Sequence, residues 1–67
     1  MIDSITKYFP EATIVSESPQ RVEFTMFPPA DQDLFVILKL IFNTNKCKSY
    51  FVEKTADFRL RIILTKD

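Results

Sequence analysis

Glycine, histidine and tryptophan are missing from this 67-residue chain, and cysteine occurs once. Each absence excludes a kind of chemistry. Phosphate-binding loops of the Walker or dinucleotide type need glycine where the backbone approaches the ligand, so neither is expected. Without histidine the commonest general base is gone. With Cys47 alone, neither a zinc site nor an intrachain disulfide is expected. Lys46 and Lys48 flank Cys47, but neighbours on a strand point to opposite faces, so Cys47 reads as a small buried apolar residue rather than a nucleophile. Asp31 and Asp33 form a carboxylate pair with nothing near them to complete a metal or acid–base site, and they read as loop solvation. An unpaired cysteine suits a reducing compartment, and Met1-Ile2-Asp3-Ser4 lacks the basic-then-apolar pattern of a signal peptide. The expectation is an intracellular protein, of cytoplasm or nucleus, that is not an enzyme and uses no metal or cofactor.

Long apolar runs are also scarce. The one present, Leu34 to Phe42, is broken only by Lys39 and falls well short of the roughly 20 residues that cross a bilayer as a helix. Its β-branched and aromatic members, Val36, Ile37, Ile41, Phe35 and Phe42, favour a strand. Read so, Leu34, Val36, Leu38, Leu40 and Phe42 line one face and Phe35, Ile37 and Ile41 the other, making it a central strand that wants cover on both sides. The rival is a buried helix whose first turn the preceding Pro28 to Asp33 could supply.

What is there is apolar and aromatic, with seven Phe and two Tyr. Ile2, Ile5 and Phe9 recur at helical spacing before Pro10, which predicts a short N-terminal helix. Ala12 to Glu17 is rich in β-branched residues, and Gln20 to Phe27 alternates with Val22, Phe24 and Met26 inward. Pro28-Pro29 ends that strand. Asn43 and Asn45 are the candidates for left-handed backbone in a chain without glycine. Cys47 to Val52 and Phe58 to Thr65 alternate as a hairpin around Lys54 to Asp57, with a terminal helix over 57–65 as the rival. The fold class expected is α+β: an N-terminal helix packed on a mainly antiparallel sheet of about five strands, in one domain.

Formal charge is zero, yet residues 1–33 hold six acids and two bases, net −4, and residues 34–67 hold seven bases and three acids, net +4. The split either marks a basic surface or draws the two halves together. A domain this small buries only about 60% of its unfolded surface and lacks covalent staples, so what is expected to hold it is either a dense aromatic core drawn from its Phe and Tyr or a partner that completes the core. The surface expected to meet another protein, or a second copy, comprises Phe27, Phe35, Ile37, Lys39, Ile41, Val52 and Ile63. Lys39 is expected at a sheet edge or interface, stem buried and ammonium wet. The competing surface, for single-stranded nucleic acid, is Lys46, Lys48, Tyr50, Lys54, Arg59 and Arg61, cations around one aromatic. No membrane partner is expected.

The order of a helix ending at Tyr8-Phe9-Pro10, strands at Ala12 to Glu17 and Arg21 to Phe27, Pro28-Pro29, Leu34 to Phe42 and Tyr50-Phe51-Val52 resembles the small RWD-type heads of kinetochore and spindle-checkpoint coiled-coil subunits. That resemblance implies a non-enzymatic adaptor that dimerises and docks partner segments. One helix followed by short strands is also similar to Sm-like and other SH3-like barrels, which implies RNA binding, although the glycine of their bent second strand has no counterpart here. A compact virus- or plasmid-encoded inhibitor that occludes a host protein is a third reading of the same features.

Overall fold

The computed structural model describes residues 1–30 and 33–66. Asp31, part of the carboxylate pair noted above, lies outside them. The elements run α1 (Ile2–Tyr8), β1 (Thr13–Ser18), β2 (Arg21–Met26), α2 (Leu34–Thr44), β3 (Ser49–Lys54) and β4 (Leu60–Thr65). The strands form one antiparallel sheet in the order β1-β2-β4-β3, so β2 and β3 run parallel with β4 between them. Two parallel strands need a crossover, and α2 is that crossover.

The fold is α+β as expected, with four strands rather than five. Leu34 to Phe42 is the difference: it is a helix, not the central strand. Two local features decide it. Asp33 takes extended backbone and its Oδ1 accepts from Phe35 N at 3.0 Å and Val36 N at 3.3 Å, capping the first turn. At the other end Cys47 N donates to Phe42 O at 2.9 Å and Lys46 N to Asn43 O at 3.2 Å, the paired bonds of a Schellman stop. The strand propensity of Val36, Ile37 and Ile41 is overridden by the burial that this crossover gains.

The left-handed position of that stop falls on Lys46, at φ 55°, and a second falls on Phe58, at φ 65° in the β3–β4 turn. Asn43 and Asn45 do not take it. Asn43 is inside α2, and Asn45 stays at φ −97° as C-cap, its Nδ2 donating to Ile41 O at 2.8 Å. A Cβ in this conformation costs about 1–2 kcal/mol relative to glycine. Lys46→Gly is therefore expected to raise the melting temperature by several degrees, equivalent to about 1 kcal/mol, checked by thermal circular dichroism; an unchanged or lower value would contradict the strain.

Both helices cover one face of the sheet. Val22, Phe24 and Met26 of β2 and Ile62 and Leu64 of β4 are buried on that face, as the alternation in β2 predicted. Ile5 and Phe9 of α1, Leu38 and Ile41 of α2, and Cys47 close over them. Phe9 stacks on Phe24 with ring centroids 6.5 Å apart. Pro10 ends α1 as expected, and residues 60–65 are strand rather than the rival helix. Among the described residues no helix is long and apolar enough to cross a membrane.

Candidate functional site

Because α2 is a helix, its apolar residues divide by a 3.6-residue period rather than a period of two. Leu38 and Ile41 point into the core, with Leu34, Ile37 and Phe42 packed at its margin. Phe35, Val36 and Leu40 point away and remain 60%, 62% and 44% exposed, with Lys39 exposed among them. A helix that is apolar on nearly every side normally lies inside a larger structure. Beside this outer side runs a mainly apolar groove of about 370 Å³ between α2 and β3, lined by Phe35, Leu38, Lys39, Phe42, Asn43, Tyr50 and Leu64. The Tyr50 ring meets Phe42 edge-on at 6.0 Å and is itself mostly exposed.

The residues expected to meet a partner are only partly together here. Phe35 and Lys39 line the groove. Ile41 does not belong to any surface: it is fully buried, because position 41 shares the inward stripe with 38. Ile37 is half-buried at the core margin. Lys39 is exposed on a helix, not at a sheet edge. Val52 faces the helices opposite Ile62, whereas Ile63 lies on the open face opposite Phe51, so the two are on opposite sides of the sheet. Phe27 is remote, at the end of β2, with the Arg59 guanidinium 4.8 Å above its ring. Val36 and Leu40 were missed, and their i, i+4 spacing on the side away from 38 and 41 is the signal a helical reading would have used.

The proposed nucleic-acid surface is dispersed. Tyr50 and Lys54 share the helix-covered side of β3, opposite Leu64 and Leu60, while Arg61 pairs with Glu53 on the open face. Lys46 and Lys48 lie in the α2–β3 connection, and Arg59 lies at the hairpin turn, its Nε 3.4 Å from Asp57. Arg61 is also committed: its Nε is 2.9 Å from Glu23 and its Nη1 2.7 Å from Glu53. Arg21 reaches the other Glu23 oxygen at 3.0 Å, so the open face carries a closed row of alternating charges. Lys54 sits 5.7 Å over the Phe58 ring.

These contacts move the titrations. The hydrogen bond from Arg61, and then that from Arg21, holds Glu23 below the usual glutamate value of 4.5. A carboxylate whose folded pKa is depressed gives stability that is present above its unfolded value and is lost as pH falls through the folded one. The urea midpoint is therefore expected to fall below about pH 4.5, and Glu23→Gln to flatten that decline; a wild-type and a Glu23→Gln profile of equal slope would contradict the role given to Glu23. Asp57, held down first by the hydroxyl of Thr55, contributes with the same sign. Burial pushes the Cys47 thiol up, as suits the apolar role read from the sequence. Among the described residues no three His, Cys, Asp or Glu side chains converge to hold a metal ion.

No family model matches this chain, nor does any curated protein or solved structure. The site must therefore be read from its own geometry. Its lining is mostly aromatic and aliphatic, with the Lys39 amine and the Asn43 amide among those side chains.

Proposed function

We propose that this chain is a non-enzymatic protein-interaction module, an adaptor or dimerisation domain, whose docking surface is the α2–β3 side. One observation carries it: α2 turns Phe35, Val36 and Leu40 outward beside the groove that Tyr50 helps to line. Three exposed apolar side chains around one amine make a patch that water covers at a cost, and patches of this kind mark contact sites. Aromatic anchors seated in a desolvated groove contribute most of the affinity at such sites. Of the segments that carried the RWD-type resemblance, α1, β1 and β2 are helix, strand and strand as they were read, while 34–42 is a helix. The adaptor role is therefore argued from the patch. The dispersal of the cations over both sides of the sheet, with Arg61 held by two carboxylates, favours protein over nucleic acid.

The test is a displayed library of amphipathic peptides selected on the wild-type chain, run beside sedimentation of the chain itself. Phe35→Asp and Leu40→Asp are expected to weaken the selected ligands, or a dimer formed through α2, by about tenfold or more while the fold is kept. Selected ligands indifferent to both substitutions, on a chain that also stays monomeric, would overturn the proposal.

A further inference from the structure

The two edges of the sheet are unequal, and we infer that the open one, β3, pairs with β3 of a second copy to make a symmetric dimer with a continuous eight-stranded sheet. The inference rests on the reading of the chain as an interaction module, but on a different observation from the outer side of α2.

Exposed strand edges are ordinarily blunted by bulges, proline, charged side chains or short length. β1 is blunted: its pairing with β2 slips between Ile14 and Ser16, leaving Val15 in a bulge, and Pro19 follows it. Between Ser49 and Lys54, β3 has neither a bulge nor a proline, and its charges, Glu53 and Lys54, stand at one end of the strand. Its register with β4 is unbroken from Ser49↔Thr65 to Lys54↔Leu60, and its centre is Tyr50-Phe51-Val52. Nor is the edge short of hydrogen-bonding capacity. Thr55 N donates to Arg59 O at 2.8 Å and Lys66 N to Gln20 O at 2.7 Å. Because bonded and unbonded pairs alternate along an antiparallel ladder, these two bonds fix the phase. Residues 49, 51 and 53 turn their backbone groups to β4. Tyr50, Val52 and Lys54 turn theirs outward, where the sheet has no further strand.

Between two copies of the strand, charge then selects the register. A two-fold axis perpendicular to the sheet keeps each face on its own side, so it must pass through a residue. Centring on Phe51 sets Lys48 opposite Lys54 of the second copy. Centring on Glu53 or Lys54 sets that charge against itself, and centring on Tyr50 opposes Lys46 to Lys54 and leaves much of the strand unpaired. Centring on Val52 opposes no like charges. It places Tyr50 beside the second copy's Lys54 on the helix side, twice, once for each copy, and Phe51 beside the second copy's Glu53 on the open face. The outward groups of 50, 52 and 54 then bond to one another across the axis.

Three measurements test it. The wild-type chain is expected to sediment at twice its 7.9 kDa mass at about 100 µM, a concentration well above the micromolar end of specific association. Tyr50→Pro blocks the edge without touching the β3–β4 ladder, since the amide it removes points outward, and is expected to return the chain to monomer with its circular dichroism kept. Val52→Cys is expected to cross-link to itself under mild oxidation, whereas the wild-type chain, whose Cys47 is buried, does not. A wild-type chain that stays monomeric overturns the inference, as does a dimer in which Val52→Cys fails to cross-link. A dimer that survives Tyr50→Pro but dissociates on Leu40→Asp overturns it too and leaves the docking role of α2 standing.

Discussion

An aspartate at position 41 is expected to leave the chain unfolded, while the same residue at position 40 leaves it folded. Ile41 is fully enclosed between α2 and the sheet, and Leu40, one residue earlier, is 44% exposed. Losing a buried isoleucine costs about 2–5 kcal/mol, and an unpaired carboxylate in its place adds the cost of burying a charge. The sum exceeds what a domain of this size holds, which is about 3–5 kcal/mol from a single core. At position 40 the charge stays in water, and the loss, about 1–2 kcal/mol from the covered part of the leucine and the poorer helix propensity of aspartate, leaves the chain folded. An aspartate scan from 35 to 43, read by far-ultraviolet circular dichroism, should be tolerated at 35, 36, 39, 40 and 43 and fail at 38 and 41. Failure at every second position would show a strand and refute the helix.

Phe24→Ala carries the second large effect. Phe24 has no exposed surface, lies at the middle of β2 against Phe9, and is flanked by Ile14 on β1 and Ile62 on β4. Truncating a buried phenylalanine costs about 3–5 kcal/mol. With total stability of that same order, most of the population is expected to be unfolded at 25 °C, with urea unfolding shifted to near zero denaturant. Phe27→Ala is the control from the same segment: its ring is mostly exposed and lies under the Arg59 guanidinium, so its cost is expected below about 1 kcal/mol. Equal losses at 24 and 27 would mean that the core is not where the sheet places it.

The contrast between these positions also explains which parts of the fold could be read from sequence. β2 was readable because Val22, Phe24 and Met26 alternate with Arg21, Glu23 and Thr25, a period that only a half-buried strand satisfies. α1 was readable from Ile2, Ile5 and Phe9 and the stop at Pro10. Residues 34–42 were not, since eight of nine are apolar and a run without polar residues has no period. Its helix is set by things outside the run: the Asp33 cap, the Schellman stop, and the parallel placement of β2 and β3, which no local pattern announces. β3 failed in a related way. Tyr50, Phe51 and Val52 are consecutive, so their facing was ambiguous by one residue, and only pairing with Ile62 and Ile63 resolved it. That single step moved Val52 beneath the helices and Phe51 into the open. The candidate site inherited both errors, keeping Phe35 and Lys39 while exchanging Ile41 for Leu40.

The order β1-β2-β4-β3 leaves the chain as two hairpins stitched along β2 and β4. Each hairpin closes across a short turn, but the stitch joins residues as distant as Arg21 and Thr65. Closing a loop of that length is the slow entropic step for a chain so small. The acidic first half and the basic second half attract each other across it. Their encounter should set the tempo of folding, and salt, by screening that pull, should slow it.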